Sequence, residues 1–201
     1  VSHRVEEPPA IDGKPEEEQW KWNDQHPWFA WKSGVQVAEH TYFALAYDDD
    51  YLYLAVRCPQ SDLKKRRRAE GYGVPAWKYT SVEFFISPDP REARLAHAFR
   101  DKDDPPELIR TYQVIAALGG GLWERGQYAT EQNYAVTEDG KEWRFELKMS
   151  WDKLRFHPRQ HPFMRIQLVR NMSEGGHSGV AWYPSTGAHA DYDARGWVLF
   201  E

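Results

Sequence analysis

From residue 41 to 58 the chain reads TYFALAYDDDYLYLAVRC. Thr41, Phe43, Leu45 and Tyr47 alternate with smaller residues, three aspartates follow, and Leu52, Leu54, Val56 and Cys58 resume the alternation. Period two puts alternate side chains on opposite faces of a strand, so this segment predicts a hairpin that turns at residues 48–50. The stretch WKYTSVEFFISPDP, residues 77–90, repeats the pattern: Val82, Phe84 and Ile86 fall on one side, Ser81, Glu83 and Phe85 on the other. A carboxylate and a second ring thus share the non-core face, which is either an amphipathic surface or one that meets a ligand.

EWRFELKMSW at 142–151 alternates strictly, with Trp143, Phe145, Leu147, Met149 and Trp151 set against Glu142, Arg144, Glu146 and Lys148. SWDKL reads as one closing helical turn with Ser150 as its cap. LIRTYQVIAAL, FMRIQLVRN and GWVLFE are further strands, the first stopped by Gly119, Gly120 and Gly121. PEEEQW predicts a short helical turn, Asp12-Gly13 a tight turn, and residues 89–106, charged and proline-bearing, a long loop. Short strands, turn signals and almost no helix predict an all-β fold, a single antiparallel β-sandwich spanning residues 1–201 with long loops and short helical turns.

A chain of this length buries roughly 70% of its unfolded surface and needs no covalent staples. Cys58 is the sole cysteine, which rules out an intrachain disulfide. The net charge of −5 offers no global attraction for nucleic acid or an anionic membrane, and no apolar run has the length of a membrane span. Ten Trp and eleven Tyr make the aromatic content high, and rings pack inside sheets. Such rings also stack on flat apolar ligand faces. A start at Val1 reads as a piece of a longer, processed chain.

Set in order, these segments resemble carbohydrate-binding module family 9. AIDGKPEEEQW is similar to that family's IDG opening, and ALAYDDDYLYLAVR to its hairpin. WKYTSVEFFISP resembles its W…DSVEIFIDP strand, EWRFELKMSWDKL its W.vEvaIPWs.L segment, and AWYPSTGAHADYDARGWVLF its closing W.P…FG stretch. The resemblance runs from about Ile11 to Phe200. It implies a jelly-roll or immunoglobulin-like sandwich that binds oligo- or polysaccharide without catalysis. Such modules are commonly tethered to secreted polysaccharide-degrading enzymes and often hold structural calcium. Carried over by residue, Trp77 takes the place of the first stacking tryptophan, Glu83 the acidic strand position and Gln167 the strand amide. No tryptophan stands between Trp182 and Trp197, so the second aromatic wall falls to His189 or Tyr192, with Trp182 as pocket floor or core.

These residue types suit a sugar. A pyranose has apolar C–H faces for a ring to cover, and a rim of hydroxyls. Glu83 can accept from two of them in charge-assisted bonds, while Gln167 and Asn171 can both donate and accept. The basic run at 64–68 is a solvated loop or a contact for sulfated or uronic polysaccharide. YDDDY and RDKDDPPE carry enough oxygen for calcium, though neither has the spacing of a calcium loop. The same fold in related redox proteins holds haem, for which Met164, Met172 and His177 are available axial ligands; covalent attachment is excluded without Cys-x-x-Cys-His. A sandwich that has lost its sugar site is the third alternative. No nucleophile with its base, and no carboxylate pair, marks an enzyme.

Overall fold

The structure is a computed structural model, described here for residues 1–24, 26–30, 33–37, 40–60, 62–87, 112–125, 133–154, 156–172, 179–184 and 195–201. Among these lie thirteen strands: β1 (His3–Arg4), β2 (Trp28–Ala30), β3 (Gln36–Val37), β4 (Tyr42–Tyr47), β5 (Tyr51–Pro59), β6 (Ser81–Ser87), β7 (Tyr112–Ala117), β8 (Leu122–Arg125), β9 (Tyr134–Glu138), β10 (Glu142–Ser150), β11 (Phe163–Asn171), β12 (Gly179–Ala181) and β13 (Gly196–Leu199). A single α-helical turn, α1 (Trp151–Leu154), follows β10 as SWDKL predicts. PEEEQW forms no helix. It makes an isolated turn in which Trp20 N–H donates to the Glu17 carbonyl at 3.1 Å, and its indole N–H to the Glu17 carboxylate at 3.0 Å.

The strands form two sheets. One has the order β1-β4-β5-β10-β9; the other runs β3-β2-β12-β11-β6-β7-β8, with β13 also paired to β11. Every pairing between these strands is antiparallel except β1 with β4, and two isolated bridges, Ser2 with Phe200 and Tyr72 with Leu122, are parallel. The period-two faces read from the sequence meet between the sheets. Phe43, Leu45, Leu54, Val56, Trp143, Phe145 and Leu147 from the first pack against Val82, Phe84, Ile86, Val114, Ile166 and Leu168 from the second. Each such side chain, fully buried, contributes about 1.5–3 kcal/mol of transfer free energy.

The far face of the five-stranded sheet is roofed by the N-terminal arm. Ala44, Ala46 and Ala55 leave room there for Val5 and Trp20 to pack. Glu146, fully buried on the same face, accepts backbone N–H bonds from Asp12 (3.0 Å) and Gly13 (2.5 Å). Gly13 has φ +82°, and a Cβ there would lie 2.4 Å from Thr137 Cγ2, so only glycine fits. The IDG turn and the glutamate of EWRFEL are thus one latch. Arg170, equally buried, crosses between the sheets. Its guanidinium donates to the carbonyls of His40 and Pro59, to Thr41 Oγ1 and to Gln60 Oε1. Where the sheets meet at one edge, Ser2 pairs in parallel with Phe200, Ser2 N–H donates to Leu199, and Arg4 N–H to Glu201.

Candidate functional site

Pairing in the larger sheet builds rows across its outer face. Phe29, Ala181, Val169, Glu83, Ile115 and Trp123 form one row, since each occupies the register position opposite the next. Asn171, Ser81 and Ala117 lie one pleat to one side; Gln167, Phe85, Gln113 and Arg125 one pleat to the other. Glu83 and Gln167 are therefore diagonal neighbours, a separation of roughly 7–8 Å.

Trp77 stands beside this face on a 3-10 turn, residues Ala76–Lys78. Ala76, fully buried against Ile115 and Ala117, pins the turn to β7. The indole is 39% exposed and meets Trp123 edge to face, with centroids 5.1 Å apart.

Glu83 is buried, with both oxygens engaged. Asn171 Nδ2 donates to Oε1 at 2.8 Å and Gln113 Nε2 to Oε2 at 3.0 Å, while Asn171 also donates to Ser81 Oγ at 3.0 Å. Burial raises the Glu83 pKa, and the two amide bonds oppose that rise. Each carboxylate oxygen has a further lone-pair site, so the group can still accept from a ligand that reaches it.

Gln167 is fully buried, and its amide is spent on the chain that follows β12. Nε2 donates to the Tyr183 carbonyl at 2.8 Å and Tyr183 N–H donates to Oε1 at 3.0 Å. The clamp fixes Tyr183, whose side chain is 44% exposed. Phe85, the second ring of the SVEFF strand, joins Val169 and Ala181 in a small apolar cluster on the outer face. Arg195 lies over it, its guanidinium carbon 5.6 Å from the ring centroid, and donates to Ser87 Oγ.

Trp182 belongs to the interior. Its ring meets Phe43 edge to face at 5.2 Å and His26 at 6.0 Å. A Cβ on Gly196 would come within 2.6 Å of it. His189 and Tyr192 lie outside the described residues.

The face thus brings Glu83, Asn171 and Gln167 together beside Trp77. The sequence reading missed Gln113, Trp123, Tyr183 and Arg195. Alternation within TYQVIAA does carry the Gln113 signal, because it places that residue with Ile115 and Ala117 and opposite to Tyr112 and Val114. Gln113 lies on β7 opposite Phe85 and diagonal to Glu83, close enough for its amide to donate to that carboxylate.

The basic run lies at the surface, with Lys64, Lys65, Arg67 and Arg68 exposed, and its arginines engage partners within the chain. Arg66 pairs with Asp62 at 2.8 Å and donates to the Met172 carbonyl; Arg67 lies over Tyr79 at 5.2 Å; Arg68 forks onto the Glu138 carboxylate. For calcium, the YDDDY turn does not fit. Asp48 Oδ1 accepts the N–H of Asp50 and of Tyr51, Oδ2 accepts the Tyr53 hydroxyl, and Asp49 pairs with Arg4 and Arg159. Among the described residues no three His, Cys, Asp or Glu side chains converge on a cation position. RDKDDPPE lies outside them. Of the haem-ligand candidates, Met164 is sealed in the core, Met172 is partly buried against it, and His177 is outside the described residues. No described helix is long and apolar enough to cross a membrane.

No known family profile matches the chain, and no curated protein does. Solved structures do. A family 9 carbohydrate-binding module from Caldicellulosiruptor kristjanssonii in complex with glucose is 13% identical, with a TM-score of 0.64 over 99% of this chain and 94% of that one. The cellotriose complex from the same organism gives 13% and 0.65 over 100% and 93%. A candidate carbohydrate-binding protein from Bacteroides uniformis gives 15% and 0.61 over 90% and 87%. At these identities the likeness establishes the fold alone: this chain has the β-sandwich fold of those structures.

Proposed function

We propose that the protein is a non-catalytic carbohydrate-binding domain whose site is the outer face of the larger sheet beside Trp77. One observation carries the reading. Glu83, Asn171, Gln113 and Gln167 are brought onto adjacent rows of a single sheet face, next to an indole left 39% exposed. The solved modules of this fold hold glucose and cellotriose, so saccharide is the ligand class to which the face is assigned.

In this reading Trp77 covers a pyranose face, and Trp123 fixes the indole's tilt. Glu83 accepts from hydroxyls with the lone pairs its two amides leave over. Those amides orient the carboxylate in advance, so little rotamer freedom is lost on binding. His189 and Tyr192 remain the proposed second wall. Export with a polysaccharide-degrading partner protein follows from the same assignment, as does any calcium held by the acidic stretch at 100–107.

One ring with a few polar contacts gives millimolar to micromolar binding, about −4 to −8 kcal/mol. Loss of the stacking ring costs on the order of 1–3 kcal/mol. Affinity electrophoresis of wild type and Trp77→Ala through hydroxyethyl cellulose, xylan, laminarin and polygalacturonate tests this. Retention of wild type by at least one polymer, lost in the variant, is the expected result. The competing reading, a sandwich that has lost its sugar site, draws on the burial of Glu83, Gln167 and Asn171 and on their internal bonds. It requires the folded wild type to run unretarded on every polymer, or the Trp77→Ala profile to match that of wild type.

A further inference from the structure

The same outer face carries a second aromatic station. Phe163 on β11 and Trp197 on β13 are 49% and 50% exposed, and they share the strand parity of Arg165 and Gln167, opposite to core-facing Met164 and Val198. Their rings meet edge to face with centroids 6.4 Å apart, and the Arg165 guanidinium lies 4.6 Å from the Trp197 ring centroid. The indole is thus held in one pose by groups on the neighbouring strand while half of it stays in water. A lone exposed ring on a protein surface is ordinary, but two adjoining rings form a patch that marks a binding surface.

Strand spacing places this station relative to the first. Trp197 lies opposite Arg165 on β11, four residues along that strand from Val169, whose row ends three strands further on at Trp123, four strands from β13. At ~3.4 Å per residue and ~4.8 Å per strand, the two stations are roughly 20–25 Å apart. That is too far for one sugar ring to touch both. Between them, Arg195 covers Phe85 and Ser87.

We propose that Trp197 and Phe163 form a secondary saccharide-stacking site that engages a further stretch of the same polymer. The occupant is a polysaccharide because the patch lies on the face already assigned to saccharide; the inference rests on that reading. The pose of Trp197, set by Arg165 and Phe163, keeps the entropic cost of stacking small. Two weak stations on one long ligand then act by effective concentration, strengthening polymer binding without altering affinity for a short oligosaccharide.

The test compares wild type, Trp197→Ala, Phe163→Ala and Trp77→Ala by retention on hydroxyethyl cellulose and xylan, and by calorimetric titration with cellotriose and xylotriose. Thermal melts check that each variant is folded. The expected result is a loss of about five- to tenfold in polymer retention for Trp197→Ala, a smaller loss for Phe163→Ala, and unchanged trisaccharide affinity for both. If both variants match wild type on polymer while Trp77→Ala fails, the secondary site is refuted and the primary reading stands. If folded wild type binds no polymer, the primary reading falls and this one with it. A concentration-dependent dimer abolished by Trp197→Ala would instead make the patch a self-association surface and overturn the proposal.

Discussion

Glu146 predicts an inverted dependence of stability on pH. Its carboxyl is fully buried, Oε1 has no hydrogen-bond partner, and Oε2 takes the N–H groups of Asp12 and Gly13. Burial dominates, with the nearby Glu17 and Asp12 charges adding to it against those two bonds, and the pKa is pushed from 4.5 up to about 7. A carboxyl with a raised native pKa stabilises the fold in its protonated form. Its contribution is complete below pH 4.5 and is lost as pH rises through about 7. Each pH unit between those values is worth about 1.4 kcal/mol, so ionising Glu146 costs roughly 3 kcal/mol. In a chain of this size that lowers Tm by about 6–12 °C. Glu146→Gln removes the titration. The amide oxygen keeps the bonds from Asp12 and Gly13, while its NH2 inherits the unpartnered position at a fixed cost of about 1–3 kcal/mol. Differential scanning calorimetry of both proteins from pH 4.5 to 8.5 reads the outcome as a difference curve, in which other titrating groups cancel. Wild type should be the more stable at pH 5 and should lose that advantage by pH 8. A flat difference, or wild type gaining on the variant as pH rises, refutes the argument.

Two further substitutions probe the frame around the site. Arg170→Ala leaves four acceptors between the sheets without their donor and should cost about 3 kcal/mol or more, read as a lower urea midpoint. Gly196→Ala places a Cβ 2.6 Å from the Trp182 ring, an overpacking that should cost about 1–3 kcal/mol. Loss of the same Tm in Gly196→Ala and Gly196→Ser would support the steric origin; a neutral melt for the alanine variant would count against it.

The sequence disclosed those parts of the structure that repeat over enough residues to have a period. Among the strands of six residues or more, β4, β5, β6, β10 and β11 alternate, and their core faces are where the alternation puts them. β1, β3 and β12 have two or three residues, too few to show any period, and they exist through pairing with distant strands. The site divides the same way. Parity along SVEFF and RIQLVRN is enough to place Glu83, Gln167 and Asn171 on one face. The groups that Glu83 and Gln167 bond to, Gln113 and Tyr183, come from elsewhere in the chain, and a local pattern carries no trace of such neighbours. The run at 64–68 shows the same limit. Its charge is evident in the sequence, but Asp62, Tyr79 and Glu138 as the partners of its arginines are not.

The seam at which Ser2 pairs with Phe200 governs how the domain responds to traction. The two segments run parallel and are joined by Ser2 N–H to Leu199, Glu201 N–H to Ser2 and Arg4 N–H to Glu201. Tension applied across the two ends drags these segments lengthwise past each other, so the bonds bear the strain together and must rupture together. A domain tugged by its ends would hold there by shear, where a hairpin at that position would unzip one rung at a time.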